Sequence, residues 1–147
     1  MVDEKELMIA WLAGLFDGEG SVSLGLQNER AVEGRVNLVN TRSDIIAWVL
    51  HVSSLLELPQ PKVYWREAKG GRSAQCTINW SGQRAARVLE KIRPYMTNGK
   101  HCRRADIFCR YYTVGGKGKQ LNREWKRLIE QEALEGDRRS AAYLRRF

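Results

Sequence analysis

Leu12-Ala13-Gly14-Leu15-Phe16-Asp17-Gly18-Glu19-Gly20 lies at the centre of the stretch that decides how this chain folds. Residues 7–16 are all apolar or glycine, so a helix through them has no polar face, and such a helix is buried on every side. Ala10, Gly14 and Gly18 recur at a spacing of four and form a stripe of small residues, while Leu7, Trp11, Leu12, Leu15 and Phe16 supply bulk elsewhere. Glycine inside a helix costs roughly 1 kcal/mol against alanine, a cost offset where small side chains let another backbone come close. The bulky sides are therefore expected in a core and the small stripe against a second helix. Asp3, followed three residues later by Glu6, reads as the capping box that starts this helix.

Two carboxylates, Asp17 and Glu19, fall where the helix should stop. The C-terminal end of a helix carries partial negative charge and disfavours acids, so something positive is expected nearby. Carboxylates converging with exposed carbonyls are the donors a hard divalent cation takes. The plainer reading is an acidic turn behind a glycine cap.

Outward from this stretch the periodicity changes to two. Val22, Leu24 and Leu26 alternate with Ser21, Ser23, Gly25 and Gln27; after a turn at residues 28–30, Val32, Gly34, Val36 and Leu38 alternate with Glu33, Arg35, Asn37 and Val39. These runs predict a hairpin with one polar face. Asn40 to Asp44 marks the start of a helix whose stripe is Ile45, Ile46, Val49, Val52, Leu55 and Leu56, continuing to Leu58 and ended by Pro59 and Pro61. A second hairpin is expected next, with Lys62, Tyr64 and Arg66 opposite Val63 and Trp65, a turn at Gly70-Gly71, and Gln75, Thr77 and Asn79 opposite Cys76, Ile78 and Trp80. Helices follow over about 83–92, stopped at Arg93-Pro94, and over 99–112, with Ala105, Phe108, Cys109 and Tyr112 inward. Beyond them lie a glycine-rich basic loop, an amphipathic helix over 122–134 with Leu121, Trp125, Leu128 and Ile129 on its apolar side, and an arginine-rich end. No second copy of the opening stretch occurs.

The nonapeptide resembles the LAGLIDADG motif of homing endonucleases, with eight or nine positions agreeing in kind. The order of helix, two strands, helix, two strands, helix is similar to that family's αββαββα core, and the likeness spans about Leu7 to Tyr112. It implies an α+β fold with a saddle-shaped antiparallel sheet over residues 1–112, and residues 113–147 as a basic loop and C-terminal helical extension of the same domain. It implies that Glu19 is the metal-binding catalytic acid, with the Gly18 carbonyl beside the metal, Asp17 in a structural role, and Ala10, Gly14 and Gly18 at the dimer interface. Pro94-Tyr95-Met96 followed by Lys100 looks like the family segment leading to a basic catalytic residue, one residue longer than the usual spacing. Lys100 is the candidate, with Lys91 or Arg103 as alternatives. A polar residue that positions water falls near Thr41-Arg42 by the same comparison.

Composition agrees with such a reading. A chain of 147 residues with 43% hydrophobic content and five tryptophans can fill a single core. Its net charge of +8, from 25 basic and 17 acidic residues, favours a polyanionic partner. The polar faces of the hairpins carry the basic and amide types that read base edges in the major groove, although any solvated antiparallel sheet has a polar face. The DNA-contacting set is Ser23, Gln27, Arg35, Asn37, Arg42, Tyr64, Arg66, Arg72, Gln75 and Thr77, with Lys117 and Lys119 of the basic loop on the phosphate backbone. That loop lacks the spaced glycine and the Ser/Thr after lysine that a P-loop needs. Cys76, Cys102 and Cys109 form no Cys-x-x-Cys pair, and His51 and His101 are too few to complete a zinc site. Free thiols, no membrane span and no signal-peptide pattern read as a soluble, intracellular protein, with nothing to separate cytoplasm from organelle.

The function expected is a site-specific homing endonuclease: a homodimer that uses Mg²⁺, or another divalent cation such as Mn²⁺, to make a staggered double-strand cut with 3′ overhangs in a long, pseudo-palindromic DNA target. Two alternatives share the fold and charge. One is an intron RNA maturase, whose partner is the host intron RNA; the other is a non-cleaving DNA-binding regulator, against which the retained Glu19 argues.

Overall fold

The computed structural model describes residues 3–27, 31–113 and 119–135. Its elements run α1 (Glu4–Glu19), β1 (Gly20–Gln27), β2 (Ala31–Asn40), α2 (Ser43–Leu55), β3 (Lys62–Arg66), β4 (Gln75–Ser81), α3 (Gly82–Ile92), a 3-10 turn (Arg93–Tyr95), α4 (Gly99–Thr113) and α5 (Lys119–Glu135). The expected turn at 28–30, the glycine-rich part of the basic loop and the arginine-rich end at 138–147 lie outside the described residues. The four strands form one antiparallel sheet in the order β1-β2-β4-β3. The α+β architecture read from the sequence is the one observed.

Alternation decides which face of the sheet is covered. Val22, Val36, Leu38, Cys76, Ile78 and Trp80 are buried, and the helices pack against the face they share. The odd-numbered partners Ser23, Arg35, Asn37, Thr77 and Asn79 point to the other face. Leu12, Ala13 and Phe16 of α1 enter this core, joined by Val88, Leu89 and Ile92 of α3 and Phe108 of α4. Trp125 anchors α5 in the same core, fully buried with its ring 4.2 Å from that of Tyr111. At Gly34 the chain needs glycine for space. A Cβ there would stand 2.4 Å from Phe108 Cε2. Gly34→Ala is expected to lower stability by about 1–3 kcal/mol through overpacking, read as a drop in the urea midpoint at unchanged slope.

Four details differ from the sequence reading. First, α1 is not enclosed within its own chain: Leu7 is 57% and Trp11 42% exposed, on the same side as exposed Gly14 and Gly18. Only the Leu12–Phe16 side reaches the core, because the sheet covers one side of a helix. Second, the prolines do not end α2. Leu58 N donates to Ser53 O and Glu57 N to Ser54 O, with Glu57 at φ 56°, which is a Schellman cap placed ahead of Pro59. Leu55 lies off the buried stripe of Ile46, Val49, Val52 and Leu56 and is 45% exposed. Third, the apolar side of edge strand β3 has little cover: Val63 and Trp65 are 37% and 60% exposed, since α2 packs on the inner strands β2 and β4. Fourth, α5 starts three residues earlier than the sequence indicates, at Lys119.

Gly70 and Gly71 make the expected turn. Both have positive φ, and Lys69 and Arg72 exchange two backbone hydrogen bonds across them. This is the two-residue hairpin in which glycine is favoured at both central positions.

Candidate active site and nucleic-acid interface

The two acids at the foot of α1 take different surroundings. Asp17 faces the segment that leads into α4. Its Oδ2 accepts from Thr97 N at 2.7 Å and from Thr97 Oγ1 at 2.9 Å, its Oδ1 accepts from Asn98 N at 3.2 Å, and its carbonyl accepts from Asn98 Nδ2 at 3.4 Å. Asn98 in turn caps α4, its Oδ1 accepting from Lys100 N and His101 N. The positive group that the acids at a helix C-terminus call for is, for Asp17, the N-terminal end of another helix. This clamp joins a residue two before Glu19 to one two before Lys100, so both candidate catalytic residues belong to one corner of the molecule.

Burial works to raise the Asp17 pKa, but hydrogen bonds from Thr97 and Asn98 and the charge of His101 outweigh it, leaving the carboxyl below its ordinary value. Burial lowers the His101 pKa, helped by Arg104 and Lys100 and opposed by Asp17. The depressed Asp17 contributes stability that is fully present above its unfolded value and lost as pH falls through the folded one. Asp17→Asn is therefore expected to cost about 1–2 kcal/mol near neutral pH, with the gap to the native chain closing below the unfolded value of 3.8. Urea melts at a series of pH values check this. A gap that stayed constant down to strongly acidic pH would mean the ionised clamp does not stabilise the fold.

Glu19 is different: its side chain is exposed, and Oε2 accepts from Asn40 Nδ2 at the end of β2. Asn40 Oδ1 accepts from Arg42 N at 2.8 Å, so one amide ties the acid to the start of α2. Asn40, directly before the Thr41-Arg42 segment where the sequence comparison places a water-positioning residue, is the side chain that bonds Glu19. The signal was an asparagine closing an alternating strand just before a helix start, which can equally be a simple turn. Gly18 lies in the last turn of α1, where helix carbonyls have no partner further along the helix. Carboxylate and carbonyl suit a hard cation in kind but not in number within one chain. Among the described residues no three His, Cys, Asp or Glu side chains cluster to hold a metal.

The small-residue stripe is only partly as read. Ala10 is half-buried, whereas Gly14 and Gly18 lie open, and a Cβ added to either would meet no atom of the described residues within 4 Å. Among the described residues nothing requires glycine there.

Of the alternatives to Lys100, Arg103 is engaged elsewhere. Arg103 and Arg104 both approach Glu132 of α5, at 3.4 and 3.7 Å, and Arg104 Nη1 donates to Val22 O. Lys91 is exposed at the end of α3.

The open face of the sheet collects most of the residues read as DNA contacts. Arg35, Asn37, Tyr64 and Thr77 line a concavity of about 540 Å³ together with Lys62, Asn79 and Ser81. Ser23 pairs with Arg35 on β1, Gln75 pairs with Arg66 on β4 and β3, and Arg72 is exposed at the hairpin tip. Arg42 stands apart: its guanidinium makes two hydrogen bonds to Asp44 in the first turn of α2. Gln27 ends β1 and Lys119 opens α5, while Lys117 lies outside the described residues. Among the described residues no helix is long and apolar enough to cross a membrane.

No family model and no curated protein matches this chain. Solved structures do. The homing endonuclease I-CvuI in complex with its target in the presence of 2 mM Ca matches with a TM-score of 0.67 at 18% identity, covering 91% of this chain and 86% of that one. I-CvuI with the I-CreI target and 2 mM Mg, in which the DNA is not cleaved, matches with a TM-score of 0.65 at 17% identity over the same shares. At such identity the likeness is one of fold, and the chain has the fold of this homing endonuclease.

Proposed function

We propose that the chain is a site-specific homing endonuclease that cuts duplex DNA as a homodimer, with Mg²⁺ or Mn²⁺ as cofactor. The observation that carries this reading is the placement of Glu19. It is an exposed carboxylate at the foot of a helix whose outward face, Leu7, Trp11, Gly14 and Gly18, is left exposed by the described residues, and it leads directly into β1 of a sheet whose open face is rich in Arg, Lys and amides. A second copy packed through that helix face supplies the donors one chain lacks, in keeping with the frequency of closed two-fold assemblies.

Glu19 and the Gly18 carbonyl would hold the cation, which when bound activates water and stabilises charge at the phosphate and the leaving oxygen. Asn40 holds the Glu19 carboxylate in one orientation. Lys100, set by the Asp17–Asn98 clamp, adds positive charge near the phosphate. The sheet face lies in the major groove on either side, and the cut is staggered, leaving 3′ overhangs.

The deciding experiment exposes the full chain to a randomised duplex library with Mg²⁺ and sequences the cleaved ends. One long, pseudo-palindromic site with 3′ overhangs is expected. Tight binding to folded intron RNA at matched salt, with no duplex bound above non-specific affinity, would replace this reading with an RNA maturase. On the enriched site, Arg66→Ala is expected to change which bases are preferred. Lys119→Ala should weaken all sequences alike and reduce the salt slope by about 1. If both variants changed affinity uniformly in filter binding, the sheet face would not be the reading surface.

A further inference from the structure

We infer that Glu132 of α5 is a positioning residue for the cleavage reaction: through Arg103 and Arg104 it fixes where Lys100 stands relative to Glu19. This rests on the proposed DNA-cleaving function and gives a part in it to the C-terminal helix, which the sequence motifs leave without a role.

Glu132 is a buried carboxylate on a helix that apolar packing already holds. Its side chain is 6% exposed, and it lies seven residues beyond Trp125, whose fully buried ring against Tyr111 docks α5 on the core. Seven residues are about two turns, so the two side chains share one side of the helix. Docking therefore leaves the charge unexplained. A buried ion pair is a poor source of stability, because desolvation offsets the attraction, and its better use is to fix one geometry.

Its contacts show which geometry is fixed. Glu132 Oε2 stands 3.4 Å from Arg103 Nε, and Arg103 folds back one turn along α4, its Nη1 3.4 Å from where a Cβ on Gly99 would lie. Gly99 sits between Asn98 of the Asp17 clamp and Lys100. Glu132 Oε1 stands 3.7 Å from Arg104 Nε, and Arg104 Nη1 donates at 2.9 Å to the carbonyl of Val22, on β1 three residues past Glu19. One carboxylate thus ties the first turn of α4 to the strand that leaves the foot of α1. Among the described residues neither Glu132 Oε1 nor Arg104 Nε has a hydrogen bond, so that arm is joined by charge alone and depends on Glu132 being ionised. The Asp17 clamp holds the same turn from α1, and a second attachment from α5 removes the pivoting that one attachment allows. Such placement matters for rate, since a shift of about 1 Å in a positioned group can cost on the order of a hundredfold.

The test uses the full chain and the site recovered from the duplex library. Glu132→Gln keeps the shape and removes the charge. It is expected to cut the bound site about tenfold to a hundredfold more slowly in single-turnover reactions with Mg²⁺, with sedimentation and metal-free affinity unchanged. Lys100→Ala supplies the readout that a merely structural residue would not move: the double variant should cut no more slowly than Lys100→Ala alone. Arg103→Gln, at a side chain 47% exposed, should show the same rate loss and the same lack of addition, and it carries the test if Glu132→Gln fails to fold. The inference is overturned if either folded variant cuts at the native rate, if its affinity falls as far as its rate, if Lys100→Ala cuts at the native rate, or if the two losses multiply in full. Recovery of no cleaved duplex would sink the nuclease reading itself, a result distinct from native-rate cutting by Glu132→Gln.

Discussion

Glu19→Gln protein is expected to bind its DNA site at least as tightly as the native chain and to cut it on the order of a thousandfold more slowly. The substitution keeps shape and volume, and the Gln carbonyl can still accept from Asn40, which holds the native carboxylate. What it removes is the negative charge that retains a hard cation. Loss of that cation's stabilisation of the transition state amounts to several kcal/mol, and each 1.4 kcal/mol is about a factor of ten. Binding should not suffer, because a carboxylate beside phosphates repels them when no metal intervenes. Asp17→Asn provides the contrast: its partners are Thr97 and Asn98, so its main cost falls on stability. Gel assays of cleavage and binding on the same preparation separate the two acids. Native-rate cutting by Glu19→Gln in Mg²⁺ would reduce the segment to a capped acidic turn.

The second large effect concerns α1. The native chain is expected to be a dimer at micromolar concentration, and Gly14→Leu a folded monomer without cleavage activity. Mid-helix glycine is worth roughly 1 kcal/mol less than a good helix former, yet a Cβ at Gly14 would meet nothing within 4 Å among the described residues. Leucine there should therefore leave the single chain intact, or stabilise it, while keeping a partner helix from close approach. Sedimentation gives the assembly state and circular dichroism the fold. A native protein that sediments as a monodisperse monomer at that concentration would remove the dimer and, with it, the second Glu19 that the metal reading requires. A dimer that survives Gly14→Leu unchanged would place the interface elsewhere.

Much of this architecture was legible in the chain. Alternation over residues 20–27 and 31–40 identified the hairpin and its faces because a strand places successive side chains on opposite sides. The nonapeptide drew attention to Asp17 and Glu19 because acids are disfavoured at the C-terminal end of a helix. Local pattern also located the Gly70-Gly71 turn, since positive φ at two successive positions favours glycine.

Other features arose only from parts of the chain distant in sequence. Asp17 meets Thr97 and Asn98 across about eighty residues, Glu19 meets Asn40 across twenty-one, and Glu132 reaches Arg103 and Arg104 from another helix. No spacing rule encodes such pairs, because which polar groups converge depends on how helices close over the sheet. The same holds for Leu7 and Trp11, whose hydrophobicity marks them for burial without saying in what. One side of α1 is taken by the sheet, and a single layer of strands cannot cover the other. What the sequence by itself determined was the elements and the alternation of their faces, which follow from local periodicity and residue type. Which acid is clamped and which is left exposed was decided by tertiary structure alone, since only packing places a helix N-terminus beside Asp17 and solvent beside Glu19.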